Sequence, residues 1–329
     1  MNKIKHSLIK SNGIQMHIAE QGIGPLVLLC HGFPESWYSW RHQLKALAEA
    51  GYRVVAPDMR GYGQTDQPQA IDQYSLFHLV GDMVGILDAL EEPTAIIAGH
   101  DWGGPVAWHS ALLRPDRFRA VIGLSVPFRS RGPVKPTSMM PQTDEKIFYQ
   151  LYFQNEGIAE SEFGRDPLTT LRRLLFGASA DVPLGAGGAW EGASNTGMVN
   201  RSLGMLGDIQ EPVELPQWLG KEDLEFYANE FKRTGFRGGL NWYRNIDRNW
   251  EFLAPYAGAK VTVPALYISG DKDIVPKFPG SQQVIANMPI AVPKLTKHLI
   301  LKDCGHWTQQ ERATEVNAAM IDFIKNLNH

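Results

Sequence analysis

Cysteine is nearly missing from this chain: Cys30 and Cys304 are the only two in 329 residues. They offer no disulfide framework, and reduced thiols in a cytoplasmic protein are the expectation. Long apolar runs are missing too. The start, MNKIKHSLIKSNG, lacks the continuous apolar stretch of a signal peptide, and no run approaches the roughly 20 residues of a membrane span. No membrane partner is therefore expected. Neither sign of charge dominates: 32 Lys and Arg stand against 35 Asp and Glu, a net charge of −3, which argues against a nucleic-acid partner. There is no H-E-x-x-H, no clustered Cys and His and no phosphate-binding glycine loop, so neither a metal nor a cofactor is implied. A hydrophobic fraction of 43% with 20% charged residues is that of an ordinary globular protein. The length suits a large core or a core with an insertion.

What is present is an alternation. KIKHSLIKSNGIQMHIAEQG reads as two strands joined at Asn12-Gly13, a strong hairpin signal. LVLLC (26–30) follows as a continuous apolar strand, then a helix closed by Gly51, then the strand RVVAPD. SLFHLVGDMVGILDAL places Leu76, Leu79, Val80, Met83 and Leu87 on one helical face. A strand over 95–98, a helix and the strand RAVIGLSVP complete the first half. Apolar strands alternating with amphipathic helices predict a mostly parallel sheet covered on both faces. Around Pro127 this rhythm stops. Residues 129–250 read as helical segments, such as EDLEFYANEFKRTG, plus a soft stretch, GASADVPLGAGGAWEGASNTG, expected to be a mobile loop. At Val263 the rhythm returns with PALYISGDKD and HLILKDCGHW, and a last helix runs to Leu327. The expected organisation is an α/β core over 1–128 and 251–329 with a helical cap inserted over 129–250. No internal repeat is found.

One turn carries chemistry. In IIAGHDWGGPVAW (96–108) a buried strand runs into a tight turn of small residues and then a helix. That is the form of a nucleophile elbow, usually G-x-S-x-G, with Asp101 at the serine position. Asp273 follows the late strand ending at Gly270, and His306 follows the last strand. Nucleophile, acid, histidine is the order of the α/β-hydrolase fold. All three lie beyond the carboxyl ends of strands, where open parallel sheets form their ligand crevice. In this fold a turn after an early strand supplies one oxyanion-hole N–H and the residue after the nucleophile supplies the other. Here those are the backbones of Phe33 and Trp102. His31 is expected to be structural, and Cys304 to pack, since the elbow is already occupied.

With HGFPESWYSWR, RGYGQTDQP, GHDWGG, NWYRN and GHW in place, the chain resembles the α/β-hydrolase-fold epoxide hydrolases over nearly its full length. The resemblance implies that Asp101 attacks an epoxide carbon and forms a covalent alkyl ester. A carboxylate suits that task. An epoxide has no acyl carbon, so the enzyme supplies the acyl group itself, and water then cleaves the ester by ordinary acyl chemistry. Asp273 would orient His306, and His306 would activate the water. Asp271 competes for the acid position, but the family pattern places the acid three residues after the glycine, as Asp273 is. Asp66 of RGYGQTDQP is expected to tie its own turn together.

The resemblance further implies two cap tyrosines donating to the epoxide oxygen. Tyr243 of NWYRN matches one. The other lies in DEKIFYQLYFQNEG, where Tyr149 matches better than Tyr152, one helical turn along. The partners implied are a small-molecule epoxide and water, and a homodimer through the caps is suggested. A haloalkane dehalogenase shares the Asp nucleophile and following tryptophan, but commonly has an Asn where this chain has Phe33. A fluoroacetate-type dehalogenase would want arginine at Trp102. A catalytically silent receptor would lead one to expect a damaged triad.

Overall fold

The alternating apolar segments assemble into one eight-stranded sheet in a computed structural model that describes residues 3–183, 185–190 and 196–327. The first strands, β1 (Lys5–Ser11) and β2 (Ile14–Gln21), pair antiparallel. Asn12 and Gly13 join them with φ of 46° and 81°, the positive pair that a two-residue hairpin with the right twist requires. Then come β3 (Leu26–Cys30), helix α1 (Arg41–Glu49), β4 (Arg53–Pro57), α2 (Leu76–Ala89), β5 (Ala95–His100), α3 (Gly103–Leu113) and β6 (Phe118–Leu124). A short 3₁₀ turn, Trp37–Trp40, leads into α1, and Gly51 at φ 95° ends that segment.

The insertion comes next. It holds β7 (Lys146–Phe148), the single turn α4 (Tyr149–Tyr152), α5 (Ile158–Gly164), α6 (Pro167–Gly177), β8 (Met198–Asn200), α7 (Lys221–Thr234), α8 (Arg237–Arg244) and α9 (Ile246–Phe252). Strands β7 and β8 pair with each other as a separate two-stranded sheet. The soft stretch expected to be mobile spans residues 177–197, of which 184 and 191–195 lie outside the described residues. The chain then rejoins the sheet through β9 (Ala265–Gly270), α10 (Ser281–Ala291), β10 (Leu295–Leu301), the turn α11 (Thr308–Glu311) and α12 (Ala313–Lys325).

The strand order is β1-β2-β4-β3-β5-β6-β9-β10, parallel from β4 to β10. Burial explains the sequence pattern. β3, β5 and β9 are buried on both faces and read as largely apolar runs. Leu26, Leu28 and Cys30 join the core on one face, while Val27 and Leu29 join Leu44, Leu47 and Met320 on the other. The predicted face of α2 is the buried one. The insertion packs continuously with the first of these two cores.

This topology positions the site. From β3 the chain moves to one side, to β4, then crosses to β5 on the other side, so β3 and β5 flank the switch point where such sheets bind ligands. Cys30 pairs with Gly99, which brings the loop after β3 against the turn after β5. Among the described residues no helix is long and apolar enough to cross a membrane.

Candidate active site

Asp101 stands on the turn between β5 and α3 with φ 49°, a left-handed conformation rare for a non-glycine residue. Close backbone approach makes the turn possible. A Cβ on Gly99 would lie 1.9 Å from the Gly103 carbonyl oxygen, and one on Gly103 would lie 2.0 Å from that of Cys30. Gly32 has the same constraint from the other side, since its Cβ would fall 2.4 Å from Asp101 Oδ1. Gly99, Gly103 and Gly32 are thus required by contact.

The carboxylate produced by this turn is gripped from two directions. Phe33 N–H donates to Asp101 Oδ1 at 2.8 Å, and His306 Nε2 stands 3.4 Å from Oδ2. The Trp102 N–H, one of the orphan donors at the start of α3, has no bond among the described residues. Burial alone would push the Asp101 carboxyl up, but His306, His100 and the Phe33 N–H together hold it below the ordinary carboxylate range. His306 responds in the opposite sense. Burial disfavours its charge, yet the Asp101 and Asp273 carboxylates on either side raise it to about 10.

His306 Nδ1 lies 3.1 Å from Asp273 Oδ1 and 3.0 Å from Ser125 Oγ. Asp273, not Asp271, reaches the ring. Asp271 is exposed and accepts the Cys304 N–H at 3.2 Å, closing its own turn. Ser125 follows β6 in a left-handed conformation (φ 65°), which sequence reasoning did not single out. It also missed a buried relay beneath the site. His100 Nε2 donates to the His306 carbonyl at 2.7 Å and Nδ1 contacts Glu35 Oε2 at 2.9 Å, while Glu35 accepts the Gly32 N–H at 3.0 Å. Glu35 sits in the quoted HGFPE motif, and a charged residue inside so apolar a turn was the available signal.

The remaining expected residues divide clearly. His31 is buried and structural: its Nδ1 donates to Gly32 O and its Nε2 accepts the Met59 N–H. Asp66 accepts the Gln15 N–H at 2.8 Å and so ties its loop to β2. Cys304 is a buried packing residue.

Tyr243 arrives on α8, and two glycines put it there. A Cβ on Gly238 would lie 2.2 Å from Gly61 O, and one on Gly239 would lie 2.6 Å from both Phe33 Cδ2 and the Tyr62 hydroxyl. Helix α8 therefore sits directly on the RGYG loop and the Phe33 turn, with Trp242 Nε1 donating to Arg60 O at 3.0 Å. The Tyr243 ring packs edge-on against Phe33 at 5.6 Å and Trp102 at 5.2 Å.

Tyr149 and Tyr152 do not share a face as one long helix would have placed them. Residues 146–148 are strand, and Tyr149 leaves that strand with its N–H bonded to Gly197 O at 2.7 Å. Tyr149 faces the same cavity as Asp101, Tyr243 and His306. The Tyr152 hydroxyl instead donates to Glu162 Oε2 at 2.7 Å, and its ring lines a different cleft. Burial, reinforced by the Asp101 charge, pushes both Tyr149 and Tyr243 above the ordinary phenol range, so both remain donors. Phe153, Leu174, Trp190, Met205, Phe278 and Trp307 supply apolar walls, leaving ≈ 40 Å³ for the centre of a water molecule. That is room for a few waters in a tight, low-dielectric slot.

The chain's similarities fall in one group. The alpha/beta hydrolase fold family matches residues 25–313. Epoxide hydrolase A of Mycobacterium tuberculosis is 43% identical, with 97% of each chain covered. Epoxide hydrolase 3 of Siraitia grosvenorii is also 43% identical, over 98% of this chain and 99% of that protein. The crystal structure of epoxide hydrolase A from Mycobacterium thermoresistibile superposes with a TM-score of 0.90 at 42% identity, covering 99% of both chains.

Proposed function

The chain belongs to the α/β-hydrolase-fold epoxide hydrolases and hydrolyses epoxides to vicinal diols; from that premise we propose a two-step covalent route through Asp101. The observation that carries it is one cavity holding a charged carboxylate, a histidine across from it and two phenol donors on the facing wall. Residues 129–250 form, in this reading, the cap that supplies those phenols.

In the first step Tyr149 and Tyr243 hydrogen-bond to the epoxide oxygen, and Asp101 attacks a ring carbon. The C–O bond breaks as the carboxylate–carbon bond forms. Negative charge moves onto the departing oxygen, where donors placed in a dry site stabilise the transition state most. The proton that neutralises this oxygen comes from a tyrosine, and His306 replaces it only after the C–O bond has broken. Asp101 loses its charge on becoming an ester, and His306 loses one of the two anions that raise it. Ring opening thus converts the imidazolium into a base at the moment a base is needed.

In the second step neutral His306, held by Asp273 and Ser125, takes a proton from water as the oxygen adds to the Asp101 ester carbonyl. The Phe33 and Trp102 N–H groups receive the oxyanion. Collapse releases the diol, with its alkoxide protonated by His306. The water oxygen stays in the Asp101 carboxyl. A single turnover in oxygen-18 water should therefore label Asp101 and leave the first diol unlabelled. Label in that diol would mean direct attack by water and would overturn the route.

A further inference from the structure

Glu311, the last residue of α11, takes no part in the steps above, yet its carboxylate gathers three backbone donors from two regions of the molecule. Oε1 accepts the Trp307 N–H at 2.9 Å, and Oε2 accepts those of Gly305 at 2.8 Å and Ala180 at 3.0 Å. Gly305 and Trp307 flank His306 on both sides. Ala180 belongs to the insertion, just past α6.

The junction around this carboxylate is tight. His306 N–H donates to Ala178 O at 3.0 Å, and Trp307 Nε1 donates to Leu175 O at 2.6 Å. A Cβ on Gly305 would lie 2.4 Å from Ala180 N. Glu311 is 8% exposed, and none of the ion pairs among the described residues includes it. A buried carboxylate without a cation is costly, and only peptide N–H groups compensate this one. Burial pushes its carboxyl up to about 7, the three N–H groups pull against that, and Asp181 adds to the rise. A neutral residue would avoid that cost, but no neutral side chain of this length offers two acceptor oxygens.

We propose that Glu311 is a positioning residue that latches the insertion to the histidine loop, holding the peptides on both sides of His306 and the Ala180 N–H together so that the imidazole is aimed at the Asp101 ester. The proposal rests on His306 acting as base in the second step. Ring opening depends on Asp101 and the tyrosines, so a loosened histidine loop should slow ester hydrolysis selectively.

Glu311→Gln turns an amide NH₂ toward one set of donors and breaks the clasp without changing size. Single-turnover kinetics on styrene oxide, with intact-mass detection, resolve the two half-reactions. Alkylation should stay within about twofold of wild type, while ester hydrolysis should slow by roughly ten- to a hundredfold, the scale of a misplacement near 1 Å. Alkyl-enzyme should accumulate, and hydrogen exchange should rise in peptides 178–183 and 305–307 together. Glu311→Asp, which keeps both oxygens, should recover part of the hydrolytic rate; it carries the same comparison if the Gln variant fails to fold. Unchanged half-reactions, equal slowing of both, or exchange loosened in one peptide alone would overturn the latch. His306→Gln run in parallel keeps the readings apart. If that variant accumulates no adduct, the role of His306 as base fails, whatever Glu311 does.

Discussion

The carboxyl edge of the sheet and the inserted segment meet in one cavity but contribute opposite kinds of chemistry. The sheet edge supplies every charged group in the lining among the described residues, Asp101 and His306, each on a turn anchored by backbone hydrogen bonds. The insertion supplies neutral phenols and apolar walls, and the helix that carries Tyr243, α8, sits on the core through glycine contacts. Charges need rigid, nearby counter-groups to remain buried, and loops at the end of a parallel sheet provide them. Neutral donors and apolar surface need no such counter-groups, so an inserted segment can carry them. The two half-reactions should therefore divide along the same line: only ring opening needs the phenols of the insertion, whereas ester hydrolysis draws its reacting groups from the sheet edge.

The largest effects should come from the sheet edge. Asp101→Ala should form no adduct and lose turnover on the order of 10⁶-fold, the scale of removing a nucleophile. His306→Gln should still alkylate but lose roughly 10²–10⁴ in ester hydrolysis, the usual contribution of a general base. Intact mass after substrate addition distinguishes them. An adduct on the first variant, or none on the second with turnover lost, would break the division.

The phenols of the insertion should show intermediate effects confined to ring opening. Tyr243→Phe and Tyr149→Phe should each slow alkylation by about 10²–10³, with hydrolysis of preformed ester little changed. Tyr152→Phe should leave both steps near wild type, because that hydroxyl is committed to Glu162. A Tyr152→Phe variant crippled in alkylation would move the donor one turn along the chain.

The smallest effect is on stability. His306 stands at about 10 in the folded protein against 6.5 for an ordinary histidine, so folding favours its charged form. That contribution is full below pH 6.5 and fades as pH rises from there through about 10. Asp101 behaves inversely: held below the ordinary 3.8, it stabilises above that pH and the contribution is lost as pH falls through its folded value. Urea unfolding across pH 6.5–10 should show stability declining in the wild type and a flatter profile in Asp101→Asn, which removes one of the anions on His306. Identical slopes would mean that Asp101 does not hold the proton on His306.

Sequence by itself determined the strand and helix rhythm, the hairpin at Asn12-Gly13, the elbow at Asp101 and the order of Asp101, Asp273 and His306. Each of these is local: a period of 2 or 3.6, a turn that only certain residues allow, a polar residue just past an apolar strand. Asp273 was separable from Asp271 only by analogy until the turn showed one facing His306 and the other facing solvent. The choice between Tyr149 and Tyr152, the Ser125 contact to His306, the Glu35–His100 relay and the Glu311 clasp had no such local signal. Ser125 meets His306 across 181 residues and Glu35 meets His100 across 65, so no periodicity or turn motif joins them. Those pairs exist because the sheet registers its strand ends side by side and α8 settles through its own glycines onto the loops beneath it. Only the packed tertiary structure decides where the second oxygen of a buried carboxylate will point.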